Sequence, residues 1–254
     1  MSWPARGASG ANVIVLLTHL NYSTDRAIAT RFPEIDVIVG GHEHYPIMSV
    51  SGRTLISKAG MDARFVARID LDKKGDAPLD RFYELIPVTS AVKDDPATAE
   101  VINGWEARLG TEMNTAIGST RAPLDAVETR LRASETNLGD LLADAMRQQV
   151  GADVAMLNSG GIRGNRLYPA GPISRRTLLE MHPFGNVICK IEVTGHLLLQ
   201  ALNFGVSRLP LASGPFPQVS GMTMRVSTEA PVGERVQDVK VNGAPLELDK
   251  TYTL

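Results

Sequence analysis

The chain has 254 residues, 43% apolar and 21% charged, with a formal net charge of -2. That length accommodates one large or two modest domains, and the balance is that of an ordinary globular protein. Near-neutral charge and 5% aromatics give no electrostatic or stacking case for nucleic acid as a partner, nor for an anionic membrane surface. No segment has the unbroken apolar length of a membrane span. The stretch 1–12 carries one Arg and no apolar h-region, so no secretory signal is expected there. The single cysteine, Cys189, lies in an apolar run and is expected to be a buried structural thiol.

In chain order, residues 13–17 (Val-Ile-Val-Leu-Leu) predict a strand buried on both faces. A short helix follows over Thr24–Phe32, since Ala27, Ile28 and Phe32 share a face. The next strand, Ile35–Val39, runs into Gly40-Gly41-His42-Glu43-His44. Strand–helix–strand order points to an α/β unit with parallel strands. Further strands are expected near 54–57, 65–71 and 84–88, with a turn at 73–76. Asp95-Pro96 signals a helix start. Val101, Trp105 and Leu109 carry that helix to about Met113 as a connector.

The second half opens with a helix from Asn137, where Leu138, Leu141, Leu142, Ala145 and Met146 follow helical spacing and Gly151 supplies the C-terminal cap. Residues 154–157 predict a buried strand that delivers Asn158-Ser159-Gly160-Gly161-Ile162-Arg163. A third helix is expected over Thr194–Phe204, capped by Thr194 and closed by Gly205. The remainder, 223–254, alternates in the manner of antiparallel strands.

Two constellations carry chemistry. His19 follows the first strand, and His42 and His44 follow the next, where open α/β sheets form sites beyond the carboxyl ends of strands. Three imidazoles there are either a ligand set for Zn, Mn, Fe or Co or ordinary loop histidines. In the glycine run, Gly160 and Gly161 are expected to take positive φ and let backbone approach a ligand. Arg163 offers a planar fork for carboxylate or phosphate, and Asn158 both a donor and an acceptor. Phe184, between Pro183 and Gly185, offers a ring face.

Val-Leu-Leu-Thr-His-Leu followed by Asp-Val-Ile-Val-Gly-Gly-His-Glu-His resembles the last two metal motifs of the calcineurin-like metallophosphoesterases. Those enzymes clamp phosphate between two metals about 3.5–4 Å apart. The second half is similar to the C-terminal domain of the 5'-nucleotidase family, which carries such a domain in front. The matching residues are Arg132 with Glu135-Thr136-Asn137-Leu138-Gly139-Asp140, then 158–163, Pro183-Phe184-Gly185-Asn186, and 216–221. The resemblance covers essentially the whole chain.

It implies an α/β first part, the end of a metallophosphoesterase sandwich over 1–90. A connector helix over 91–115 and a mixed α/β (α+β) substrate-binding domain over 116–254 follow. It implies His19, His42 and His44 as metal ligands, and divalent metal (Zn, Mn or Co) as cofactor. Arg132, Asn158, Gly160, Arg163 and Phe184 would line a nucleoside pocket. Asn137 and Asp140 read as structural, and Phe216 as packing. The implied activity is metal-dependent hydrolysis of nucleotide phosphate esters, of the 5'-nucleotidase, UDP-sugar hydrolase or cyclic-nucleotide phosphodiesterase type, in the periplasm or outside the cell.

The chain departs from the family's pattern. It has no Asp-x-His, and Gly-Asn occurs only at Gly164-Asn165 and Gly185-Asn186. No catalytic residue is therefore assigned. The expectation is a member shortened at both ends, with impaired catalysis and self-association through exposed edges. The alternative is a non-catalytic nucleotide- or nucleoside-binding module, or an inactive gene fragment.

Overall fold

A computed structural model describes residues 10–75 and 77–254. Residues 1–9, within the stretch read above as lacking a secretory signal, and Asp76 of the expected 73–76 turn lie outside them. The chain divides into two compact units, residues 1–99 and 100–254.

The first unit runs β1 (Val15–Thr18), α1 (Tyr22–Arg31), β2 (Val37–Gly40), β3 (Pro46–Ser51), β4 (Thr54–Ala59), β5 (Phe65–Asp72) and β6 (Asp80–Pro87). Four strands form one sheet in the order β1-β2-β4-β3. β1 and β4 lie parallel to β2, while β3 returns antiparallel to β4. The β-branched and apolar residues of β2 and β4 favour this pleated, buried setting. Helix α1 starts where Asn21 Oδ1 accepts from Thr24 N at 2.9 Å, and it ends at Phe32, whose N–H returns to Ile28 O. Ala29 of α1 packs with Ile35, Ile38 and Ile56, joined by the partly buried Leu16, Ile28 and Phe32.

That core lies on one side of β1 only. Leu16 packs on it, whereas Leu17, on the opposite face because strand side chains alternate, is 78% exposed and Val15 is exposed too. The expected burial of this strand on both faces is thus corrected: apolar composition reports what a strand can bury, not what covers it. β5 and β6 form an antiparallel hairpin from Phe65↔Pro87 to Asp72↔Asp80.

Helix α2 (Pro96–Asn114) begins at Asp95, whose Oδ1 accepts from Thr98 N at 2.8 Å. The division between the units falls inside this helix. In the second unit, β7 (Ala116–Thr120), β8 (Leu124–Asp125), α3 (Glu128–Leu131), α4 (Asn137–Val150) and β9 (Ala155–Asn158) come first. β10 (Leu167–Tyr168), β11 (Gly171–Ser174), α5 (Arg175–Met181), β12 (Glu192–Thr194) and α6 (Gly195–Gly205) follow. β13 (Pro217–Ser220), β14 (Met222–Val226), β15 (Val236–Val241), β16 (Ala244–Pro245) and β17 (Thr251–Thr253) complete it.

The strands pair as short ribbons, β9 with β13, β12 with β17, β7 with β11 and β8 with β10, plus a three-stranded sheet β14-β15-β16. The expected cap at Thr194 holds, its Oγ1 accepting from Leu197 N, and Gly151 takes φ 58°. Thr136 adds a further cap, its Oγ1 accepting from Gly139 N. Gly205, expected to close α6, is its last helical residue without a left-handed φ, and Val206 caps the helix. Two cores result. One gathers Leu131, Leu138, Leu157, Ile162 and Met181, and the other Leu198, Leu202, Phe216, Val236 and Tyr252. Phe216 therefore packs the fold, as read from the sequence. Cys189 is exposed, which corrects its expected burial: residues 185–190 belong to no helix or strand, so their apolar character is not turned towards a core.

Candidate functional site

In the first unit, β1 and β2 end side by side, with Thr18 opposite Gly40. The chain continues from these ends into His19 and His42, whose ring centroids lie 5.5 Å apart, edge to face. His44 lies half-buried in the bend that leads into β3. Gly41 N donates to Thr18 O at 3.0 Å, and a Cβ at Gly41 would stand 2.8 Å from His19 Nδ1. A side chain at 41 would therefore have to displace the His19 ring from its place beside His42. His42 itself holds φ 78°, a conformation that costs a non-glycine residue energy and persists only where surroundings impose it.

What lies beneath is a buried charge cluster. The Lys58 side chain is fully buried, and its ammonium meets Asp25 Oδ2 at 2.8 Å and Glu43 Oε2 at 2.5 Å. It also donates to Leu20 O at 2.6 Å and Gly41 O at 2.9 Å. Glu43 Oε1 in turn accepts from Tyr22 N, at the start of α1. Burial pulls the Lys58 pKa down, but the two carboxylates outweigh it and hold the ammonium above the ordinary lysine value. Burial likewise pushes Glu43 up, and bonding to Lys58 and Tyr22 N overrides it to a lowered pKa.

His19 and His42 are thus brought together. Among the described residues, no three His, Cys, Asp or Glu side chains group so as to hold a metal ion. The imidazole pair does not by itself fit the expected metal centre. The cluster around Lys58 goes beyond what the sequence announces. Its only signal is a lysine inside the apolar strand Leu55-Ile56-Ser57-Lys58, whose partners come from distant turns.

In the second unit, β9 ends at Asn158 and passes into a single 3-10 turn, Ser159–Gly161. Neither Gly160 nor Gly161 has positive φ; Gly164 does, at 102°. This corrects the expected reason for the glycines. Gly160 N donates to Gly214 O at 2.9 Å, and a Cβ at 160 would lie 3.2 Å from Gly214 Cα, so glycine permits close backbone approach.

Downstream, Arg163 N donates to Met181 O at the end of α5, and its guanidinium lies 5.1 Å from the centre of the Phe184 ring. That geometry is a cation–π contact, and Phe184 remains 43% exposed. Arg132 is the second guanidinium. Its side chain is 15% exposed and pairs with Glu128 at 3.0 Å, while its buried Nε has no hydrogen-bond partner among the described residues. Burial lowers its pKa, Glu128 opposes, and the neighbouring Arg163 charge lowers it further.

The turn that carries Arg132 is held by a buried amide. Gln218 Nε2 donates to Leu131 O at 2.8 Å and Ser134 O at 2.9 Å, and its Oε1 accepts from Thr136 N at 3.2 Å. Asn137 is structural as expected, with Oδ1 accepting from Asp125 N and Nδ2 donating to Pro123 O. Asp140 sits in the first turn of α4, where the helix dipole favours an anion. Burial, then Glu135 and Asp144, nevertheless push its pKa up to about 6. Beside Asn158 the surface opens into a hollow of about 520 Å³, floored by Met156, Leu197, Ala201 and Phe204. Of the five expected pocket residues, Asn158 borders it.

Residues 116–254, more than half of the chain, match the family profile described as 5'-nucleotidase, C-terminal domain. The chain belongs to the 5'-nucleotidase family. Over 95% of its length it is 30% identical to the trifunctional nucleotide phosphoesterase protein YfkN of Bacillus subtilis, of which it covers 18%. It is 27% identical to a Vibrio cholerae 5'-nucleotidase, covering 51% of that protein. Among solved structures, a 5'-nucleotidase precursor from Thermus thermophilus aligns over 98% of this chain and 54% of its own, with TM-score 0.79 and 29% identity. The chain thus spans about half or less of the length of these relatives. Its mixed α/β architecture agrees with the family fold. No helix among the described residues is long and apolar enough to cross a membrane.

Proposed function

We propose that this chain serves metal-dependent hydrolysis of nucleotide phosphate esters, and that its own part in that work is to recognise the nucleoside. The observation that supports this best is the contact of the Arg163 guanidinium with the Phe184 ring, just downstream of the Asn158–Gly160 turn. A base stacks on the exposed Phe184 face. Stacking of this kind contributes about 1–3 kcal/mol per base. Arg163 offers donors to ribose hydroxyls or a phosphate oxygen, the Arg132 charge stands near enough to Arg163 to interact with it, and Asn158 pairs with a base edge through its amide.

Divalent metal, Zn, Mn or Co, is the cofactor of this reading. His19, His42 and His44 are the candidate ligands in the first unit, and periplasmic or extracellular placement goes with it. The test is phosphate release from AMP, UDP-glucose and an aryl phosphate with each metal, against a chelator control. Chelator-sensitive turnover supports the reading, and its absence removes the hydrolytic half.

A second reading, a nucleoside-binding module without catalysis, is favoured by one contrast. Arg163 and Phe184 are in direct contact, while His, Cys, Asp and Glu among the described residues do not group in threes. No turnover with adenosine still raising the melting temperature selects it.

A further inference from the structure

The histidine pair poses a physical problem. His19 and His42 leave the ends of neighbouring strands as exposed side chains, with rings 5.5 Å apart. His42 is also held at φ 78°. Exposed loop side chains have no intrinsic reason to stay paired, and a left-handed backbone at a bulky residue relaxes unless it is clamped.

The clamp lies directly below. Lys58 comes from β4, opposite Gly40 in the sheet. Its ammonium bonds one carbonyl from each turn: Leu20 O, immediately after His19, and Gly41 O, immediately before His42. The remaining contacts are the carboxylates of Asp25, on α1, and Glu43, immediately after His42. Glu43 extends the tie by accepting from Tyr22 N. Four oxygens from separate places in the chain therefore converge on one buried cation. The packing is tight: a Cβ at Gly40 would stand 2.9 Å from Thr18 Oγ1 and 3.2 Å from both Asp25 Oδ2 and Lys58 Cε.

We infer that Lys58 is the positioning residue of the histidine pair. Its ammonium joins the two turns from within, so that the protein itself sets His19 against His42 and no bound ion is needed to draw them together. Moving a turn away costs the buried ammonium one of its carbonyl acceptors, a loss that is unfavourable for a group with no other solvation there. The tie favours a fixed arrangement, which is what a ligand pair or an acid–base pair needs. The inference takes from the phosphoesterase reading only that these histidines are the working groups of the first unit.

The experiment uses the full chain, dialysed against chelator. Ring resonances of His19 and His42 are assigned with His19→Gln and His42→Gln, and the inter-ring nuclear Overhauser effect is recorded. Wild type is expected to show it without metal. Lys58→Met is expected to lose it. Because that variant strands two carboxylates and unfolding would also erase the signal, Asp25→Asn/Glu43→Gln/Lys58→Met is measured beside it. There the charge is neutralised and the core is checked by the Ile38 and Ile56 methyl resonances. Loss of the inter-ring effect with those methyls unmoved supports the positioning role. Its survival in the triple variant, or its appearance in wild type only after Zn²⁺ is added, overturns it. Zn²⁺ titration of the same samples judges the metal reading separately. Wild type that binds no Zn²⁺ sinks that reading and leaves the result for Lys58 intact. If wild type binds, affinity should fall roughly 10–100-fold in the triple variant, the usual penalty for losing outer-layer support.

Discussion

The two units hold their candidate sites by opposite means. Beneath the histidine pair lies a buried cation with two carboxylates. Beneath Arg132 lies a neutral amide, Gln218, with three backbone partners. A buried ion cluster is costly to assemble and costlier to break, because each lost partner leaves a bare charge. A neutral amide costs less to bury and loses less when a bond fails. The first unit should therefore lose its site abruptly, and the second in steps.

The sharpest way to break this comparison is Lys58→Met alone. It should destabilise the first unit by about 3–5 kcal/mol, the cost of removing one member of a buried pair, with the second unit unaffected. Denaturant unfolding followed by the Ile38 and Val154 methyls reports each unit by itself. A loss under about 1 kcal/mol, the range of solvent-exposed pairs, would place the charges in water and remove the contrast.

Next is Gly139→Ala. A Cβ there collides with the Gln218 carboxamide, so the amide must leave its partners. The expected loss is about 3 kcal/mol, overpacking plus broken hydrogen bonds. Adenosine affinity should weaken as the Arg132 turn loosens. Calorimetric titration checks this against thermal unfolding.

A smaller effect is expected for Phe184→Ala, since a half-exposed ring holds up no core. Stability should hardly change, while adenosine binding weakens by about 1–3 kcal/mol. Unchanged binding would remove Phe184 from the pocket.

The smallest effect tests electrostatics in the second unit. Asp140 has its pKa pushed up to about 6 from 3.8, so between those values the native state binds more protons than the unfolded one. Its contribution is therefore most favourable below the window and declines as pH rises through it. Asp140→Asn should raise stability at neutral pH by about 1 kcal/mol, discounted for screening, and flatten the decline across that window. A variant as pH-dependent as wild type would shift the cause to another group.

Local signals are legible wherever the physics is local. Asp95 and Thr194 mark helix starts because a short side-chain oxygen satisfies a nearby N–H, and Gly151 marks a stop because αL backbone suits glycine. The five proposed nucleoside-pocket residues are named by motif resemblance, and the structure gives Arg163 and Phe184 a direct contact. Strand β3 and the short helices α3 and α5 escape a reading by pattern, since a few residues carry too little periodicity to register. Gly160 is constrained by Gly214, far along the chain, rather than by its own φ, and no local pattern announces a tertiary neighbour.

The sequence by itself determined the family and the main strand and helix order, because these rest on motifs and residue spacing. Tertiary structure alone decided which side of β1 is covered, that Cys189 faces outward, that His19 and His42 meet, and that Lys58 is buried beneath them. Those outcomes depend on which distant oxygens and apolar surfaces converge, and convergence is a property of the folded chain rather than of any window along it.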